Sequence, residues 1–195
     1  MRSLPALAAA LLVGSGCAAP PASSPPPAAS AVPGTAAGGL PSAPPTPSPA
    51  PEAWTVTPTG LGPVRVGMTV PEAQRVLGSA LVALDPEAPC YHVRWDGGPP
   101  RVTFMVIDGR IARVNVDAAP TATSAGARVG DSEARVEALY PGQVAVTPHK
   151  YTDGRYLTVT PAEDGHRIVF ESDGERVLRY RAGRLPEVRW VEGCS

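Results

Sequence analysis

Lysine is nearly absent from this chain: Lys150 stands alone among the 17 Lys and Arg residues. Histidine is almost as scarce, with His92, His149 and His166 the only three. No two of them have the i, i+4 spacing of a metal-binding helix, and none belongs to a His-Glu-x-x-His motif. Cysteine also occurs three times, without a Cys-x-x-Cys pair, so no thioredoxin-like redox motif is present. No apolar run approaches the roughly 20 residues that a membrane-spanning helix needs. Neither sign of charge is in excess. With Arg2 and Glu52 set aside, 16 Lys and Arg face 17 Asp and Glu. That balance excludes the basic stripe of a nucleic-acid binder and the acidic tail of a solvating segment. Ser124, Ser132 and Ser172 lack the setting of a nucleophile elbow. Gly60-Leu61-Gly62 is too short for a phosphate loop, and Asp131 with Glu133 and Glu137 reads as charge near a helix N-terminus rather than as a catalytic dyad. The expectation is a protein that is not an enzyme and carries no metal and no cofactor.

Proline is abundant instead, with 25 residues, and twelve of them fall between Ala18 and Glu52. That stretch has no charge before Glu52 and no aromatic residue. Clusters such as Pro25-Pro26-Pro27 and Pro44-Pro45-Thr46-Pro47 favour polyproline II. The segment is expected to be a disordered tether. At about 3.1 Å per residue its 35 residues would reach on the order of 100 Å when extended. The globular part is then 53–195, long enough to bury an ordinary core.

Ahead of the tether, Arg2 precedes an apolar run from Leu4 to Val13, ten residues that suit a signal peptide. Gly14, Ser15 and Gly16 lead into Cys17. This stretch resembles the lipobox of bacterial lipoproteins, with Gly14 where leucine is commonest. The resemblance implies a signal peptide over 1–16 and a lipidated Cys17 as the first mature residue. It places the protein in the cell envelope, held to a membrane by its lipid anchor. In a Gram-negative cell Ala18 after the cysteine implies the outer membrane, facing the periplasm. The alternative is ordinary signal-peptidase cleavage near Ala18 or Ala19.

The globular part repeats itself. Arg65-Val66-Gly67-Met68-Thr69 matches Arg128-Val129-Gly130-Asp131-Ser132 at an offset of 63. Ala73, Val76 and Leu77 fall opposite Val136, Leu139 and Tyr140, each set being the i, i+3, i+4 stripe of a short helix. Thr69 with Glu72 forms a capping-box pattern, Gly78 ends the first helix, and Pro141-Gly142 ends the second. Alternating runs over 91–95, 102–107 and 111–116 are expected strands, with turns at Asp96-Gly97-Gly98 and Asp108-Gly109. In the second half, strands are expected over 167–171, 176–181 and 187–191, with turns at Asp173-Gly174 and Ala182-Gly183. An added strand over 156–160 is expected between Asp153-Gly154 and Asp164-Gly165. The fold class is therefore α+β: two tandem helix-plus-antiparallel-meander units, about 59–117 and 122–192, with helices on one sheet face and the other face open.

Helix followed by meander, in tandem, resembles the β-lactamase-inhibitor-protein-like fold, and each single unit is similar to the small lipoprotein of the outer-membrane β-barrel assembly machinery. The resemblance rests on the two helix starts, Gly67-Met68-Thr69 and Gly130-Asp131-Ser132, and on strand order. It implies a fold more than an activity.

With Cys17 lipidated, Cys90 and Cys194 remain as an even pair for a structural disulfide in an oxidising compartment. Aromatics on strands and loops, Tyr91, Trp95, Tyr151, Tyr156 and Trp190, with Arg94, Arg179 and Arg189, are the candidate protein-binding surface, since Trp, Tyr and Arg dominate interface hot spots. His149-Lys150-Tyr151 reads as a solvated loop. The expected function is a membrane-anchored binding module for a protein or another envelope component. The alternatives are a β-lactamase-type inhibitor, or a small hydrolase using the His149–Tyr151 region.

Overall fold

The computed structural model of the protein describes residues 54–84, 88–161 and 165–194. The expected signal peptide, Cys17, the tether and Asp164 of the Asp164-Gly165 turn lie outside the described residues.

A small antiparallel sheet opens the domain: β1 (Val56–Thr57), β2 (Gly60–Leu61) and β3 (Val64–Arg65). Helix α1 (Val70–Leu77) leads into β4 (Leu81–Ala83), β5 (Cys90–Trp95), β6 (Val102–Ile107) and β7 (Arg110–Val116). Helix α2 (Glu133–Leu139) leads into β8 (Val144–Pro148), β9 (Arg155–Val159), β10 (His166–Ser172) and β11 (Val177–Arg184). A short 3-10 helix, Glu187–Arg189, follows. The eight strands after the helices form one antiparallel sheet in the order β4-β5-β6-β7-β11-β10-β9-β8, so the two meanders meet at their last strands.

Each helix starts as its sequence predicts. The Thr69 hydroxyl accepts from Glu72 N, and Glu72 Oε2 accepts from Thr69 N at 2.8 Å, a complete capping box. Gly78 closes α1 in the left-handed region, φ 63°, which favours glycine. Ser132 caps α2 by accepting from Arg135 N at 3.2 Å. The residues before each helix are held by matching bonds. Gly67 N donates to Ile111 O and Ile111 N to Met68 O, both at 2.8 Å; Gly130 N donates to Val177 O at 2.8 Å and Val177 N to Asp131 O at 2.9 Å. Arg110 Nη1 reaches Gly67 O at 2.9 Å, and Arg176 Nη1 reaches Gly130 O at 3.1 Å.

Arg110 follows the Asp108-Gly109 turn, and Arg176 follows the Asp173-Gly174 turn, so each arginine reaches back to the residues before a helix from just after a turn. The strand over 156–160 is not an addition, because each helix is followed by four strands and the sequence reading missed β4 and β8. Ala182-Gly183 is no turn: both residues lie inside β11, paired with Val114 and Arg113 of β7. The expected strand over 187–191 is a 3-10 helix and an irregular tail.

Alternation along the strands sends Val93, Trp95, Phe104, Val114, Leu157, Ile168, Phe170 and Tyr180 into one core with Ala73 and Val136 of the helices. Helices this short depend on such packing. The opposite face was expected to be open, yet residues after β11 turn back across part of it. The 3-10 helix packs on β7, β10 and β11, and Val188 is fully buried there. This C-terminal strap makes the second face a partly covered, polar one.

Candidate functional site

Apolar alternation on the central strands is interrupted by charge. Arg113 of β7, Glu171 of β10 and Arg181 of β11 are each 4–5 % exposed and all project on the strap side. Buried charges survive only when partnered, and here the strap backbone is the principal partner. Arg113 Nη1 donates to Glu187 O at 2.9 Å and to Trp190 O at 2.7 Å. Arg181 Nε donates to Val188 O at 2.6 Å, and its Nη1 to Glu171 Oε1. Arg179 Nε lies 3.2 Å from Glu171 Oε2. One carboxylate is therefore shared by two guanidinium groups, with His149 Nε2 3.6 Å from Glu171 Oε2. Arg113 Nε, buried, has no hydrogen-bond partner among the described residues. Burial, and then the nearby charge of Arg181, push the Arg113 guanidinium down to about 10, so it is protonated at neutral pH.

Between these side chains and the strap lies a cavity of about 270 Å³, with His92, Thr103, Asn115 and Asp117 on its sheet wall. A Cβ built on Gly193 of the strap would stand 3.3 Å from His92 Cε1 and 3.6 Å from Arg113 Nη2, so these three residues converge. Burial, and then the charge of Arg113, hold His92 below its ordinary value, with Asp117 opposing them.

The aromatic residues singled out in the sequence divide between the two faces. Trp95 does not belong to a surface: it is 9 % exposed, on the helix side, and packs edge-on against Trp54 with ring centroids 4.4 Å apart. Tyr91 shares that side and is half-buried against the core. Tyr156 lies on the strap side, stacked on His149 at 4.5 Å, with the Arg181 guanidinium 5.9 Å from its ring centroid. Tyr151 is 59 % exposed, with Lys150 Nζ 4.7 Å from its ring centroid, and Lys150 Nζ bonds to Glu192 of the strap at 3.0 Å. Trp190, 40 % exposed, lines a depression with Lys150, Cys90 and Cys194. Cys90 and Cys194 are at disulfide distance, with Cα atoms 5.3 Å apart, fixing the strap to the start of β5.

The His149 loop is solvated at Lys150 and Tyr151, as its sequence suggests, but His149 turns inward. The imidazole side chain is 9 % exposed, Nδ1 accepts from Tyr151 N at 3.1 Å, and Nε2 faces Glu171. The sequence reading missed Arg113, Arg181 and Glu171. Their signal was present: charges at strap-facing positions of strands whose neighbours are apolar. Among the described residues no cluster of three or more His, Cys, Asp or Glu side chains is gathered as metal ligands would be.

These features define an antiparallel α+β domain with a strapped, arginine-rich sheet face. No family model, curated protein or solved structure matches the chain.

Proposed function

We propose that the protein is a bacterial envelope lipoprotein: a signal peptide over 1–16, a lipidated Cys17, a tether over 18–52, and a non-enzymatic domain that binds another protein or envelope component. The strap side of the sheet is the binding face. The observation that carries this reading is that exposed Tyr151 and Trp190 lie beside Lys150, and that half-buried Tyr156 lies beside Arg181 and is stacked on His149, which faces Glu171. Rigid aromatic anchors beside arginines are the composition of interface hot spots. A hydrolase centred on His149 is less well supported, because both ring nitrogens face partners within the fold, and among the described residues no hydroxyl or thiol is hydrogen-bonded to it.

The paired contacts at Gly67 and Gly130 support reading the domain as two tandem helix-plus-meander units, the arrangement that resembles the β-lactamase-inhibitor-protein-like fold. In a compartment that keeps disulfides, Cys90 and Cys194 are bonded and the strap is a permanent part of the binding face.

The anchoring half of this proposal is tested by Cys17→Ser. Loss of acyl labelling and release to the soluble fraction are expected; unchanged membrane attachment would overturn it.

A further inference from the structure

Strand β8 is an outer edge of the eight-stranded sheet, and among the described residues nothing pairs with its outer side. The β8–β9 ladder tells which backbone groups point outward. At its two ends, Gln143 O accepts from Thr160 N at 3.0 Å, and His149 N donates to Gly154 O at 2.9 Å. Both pairs continue the register that runs from Val144↔Val159 to Pro148↔Arg155. Such bonds recur at every second residue of an antiparallel strand, so Gln143, Ala145, Thr147 and His149 bond inward. The N–H and C=O groups of Val144 and Val146 therefore face away from the sheet. Pro148 stands at the next outward position, has no N–H to offer, and ends the outward ladder.

Exposed sheet edges are commonly blunted by shortness or by charge. The opposite edge, β4, is only three residues long. β8 has five residues, is exposed from Ala145 to Pro148, and no charged residue occurs between Gln143 and Pro148. Val146 shares the helix side with its cross-strand neighbour Leu157, yet is 42 % exposed. This edge is also complementary to itself. A twofold axis through Ala145, perpendicular to the sheet, sets Val144 opposite Val146 of a second copy and Ala145 opposite its own counterpart. The outward N–H and C=O groups of Val144 and Val146 are then all paired. Gln143 falls opposite Thr147, no like charges meet, and only methyl groups face each other at the axis. Such self-complementarity is what a twofold interface between identical chains requires. A foreign strand could make the same backbone bonds, but no charge on β8 selects one or fixes its register.

We propose that β8 pairs with β8 of a second copy of this chain, antiparallel about Ala145, joining two sheets into one. The axis keeps both strap sides on the same side of the joined sheet, so the dimer presents two such faces together and can bind with avidity. The inference goes beyond the binding reading and does not depend on it. One short strand is small against the roughly 1,200 Å² that a stable interface buries, so the dimer is weak and concentration-dependent.

Sedimentation velocity of the purified full-length protein over a concentration series tests this, and a monomer–dimer equilibrium is expected. Val146→Pro removes an outward donor without touching a bond to β9, and is expected to raise the dissociation constant about tenfold or more. Ala145→Lys and Ala145→Glu test the register, because each alone sets like charges opposite one another at the axis. Each is expected to raise the dissociation constant about fivefold, and mixing the two variants is expected to restore it. Restoration also shows that both variants fold, so this pair decides if Val146→Pro does not fold. Val82→Lys, at an exposed position of β4, is expected to leave the equilibrium unchanged. A protein that stays monomeric up to about 1 mM would overturn the proposal. So would a dimer indifferent to both Ala145 variants, or a mixture of the two that associates no more tightly than either alone.

Discussion

Gly183 of β11 lies directly across from Arg113 of β7 at the seam where the two meanders join. A Cβ on Gly183 would collide with the Arg113 Cβ and stand 2.7 Å from its Cα. The glycine is therefore there for close approach, not for a turn. It lets the β7 backbone carry a buried arginine at the centre of the sheet, where its head reaches the strap. Gly183→Ala is expected to force the two strands apart, at a cost of about 1–3 kcal/mol, the usual range for overpacking. Denaturant unfolding of the variant measures that loss.

The strap is held by Arg113 and Arg181 donating to its carbonyls, by Lys150 bonded to Glu192, and by the Cys90–Cys194 pair. A link across 104 residues removes chain entropy from the unfolded state worth about 4–5 kcal/mol in the loop-closure account. The double variant Cys90→Ser/Cys194→Ser is expected to lose most of that stability. It is also expected to show faster amide exchange in residues 187–194 than in β10. Peptide mapping without reductant joins Cys90 to Cys194 in the unaltered protein.

Acidification is expected to weaken the fold through His92. Its folded-state value lies below the ordinary 6.5, because burial first and Arg113 second disfavour its charged form. The unfolded chain then takes up the proton at a higher pH than the native state does. The stability this histidine contributes is complete above about pH 6.5 and is lost as pH falls through the depressed native value. Between about pH 7.5 and about pH 5, the urea midpoint is expected to fall further for the wild type than for His92→Gln, with the other histidines common to both.

The helix starts allow a local test. Thr69 closes a capping box on Glu72, with Thr69 N donating at 2.8 Å. Thr69→Ala is expected to cost about 1 kcal/mol by leaving orphan N–H groups at the start of α1. Thermal unfolding of the variant against the parent reads that difference.

Local signals in the sequence carried much of this fold. Thr69, Glu72 and Gly78 bound α1, and the Asp108-Gly109 and Asp173-Gly174 turns stand where their dipeptides predict. Long-range signals did not carry. Ala182-Gly183 resembles a hairpin turn by composition, but its glycine answers to Arg113 on a strand about seventy residues away, a contact no local window contains. Edge strand β4 is short, and edge strand β8 is largely exposed, so neither has the apolar alternation of a strand buried on one face. The site was half legible. Tyr151, Tyr156 and Trp190 gather on the strap side, whereas Trp95 follows the strand period into the helix-side core. Arg113, Arg181 and Glu171 become a cluster only once β7, β11 and β10 lie side by side.

The central claim is that the strap side, not the helix side, meets the partner in the envelope. Photocrosslinking in intact cells tests it most directly, with a photoreactive phenylalanine analogue placed at position 151 on the strap side or at position 76 on α1, where Tyr151 and Val76 are both exposed. The account predicts a discrete adduct from position 151 that Trp190→Ala diminishes, and none from position 76. An adduct from position 76 as strong as that from position 151, or one from position 151 that ignores Trp190→Ala, would contradict it.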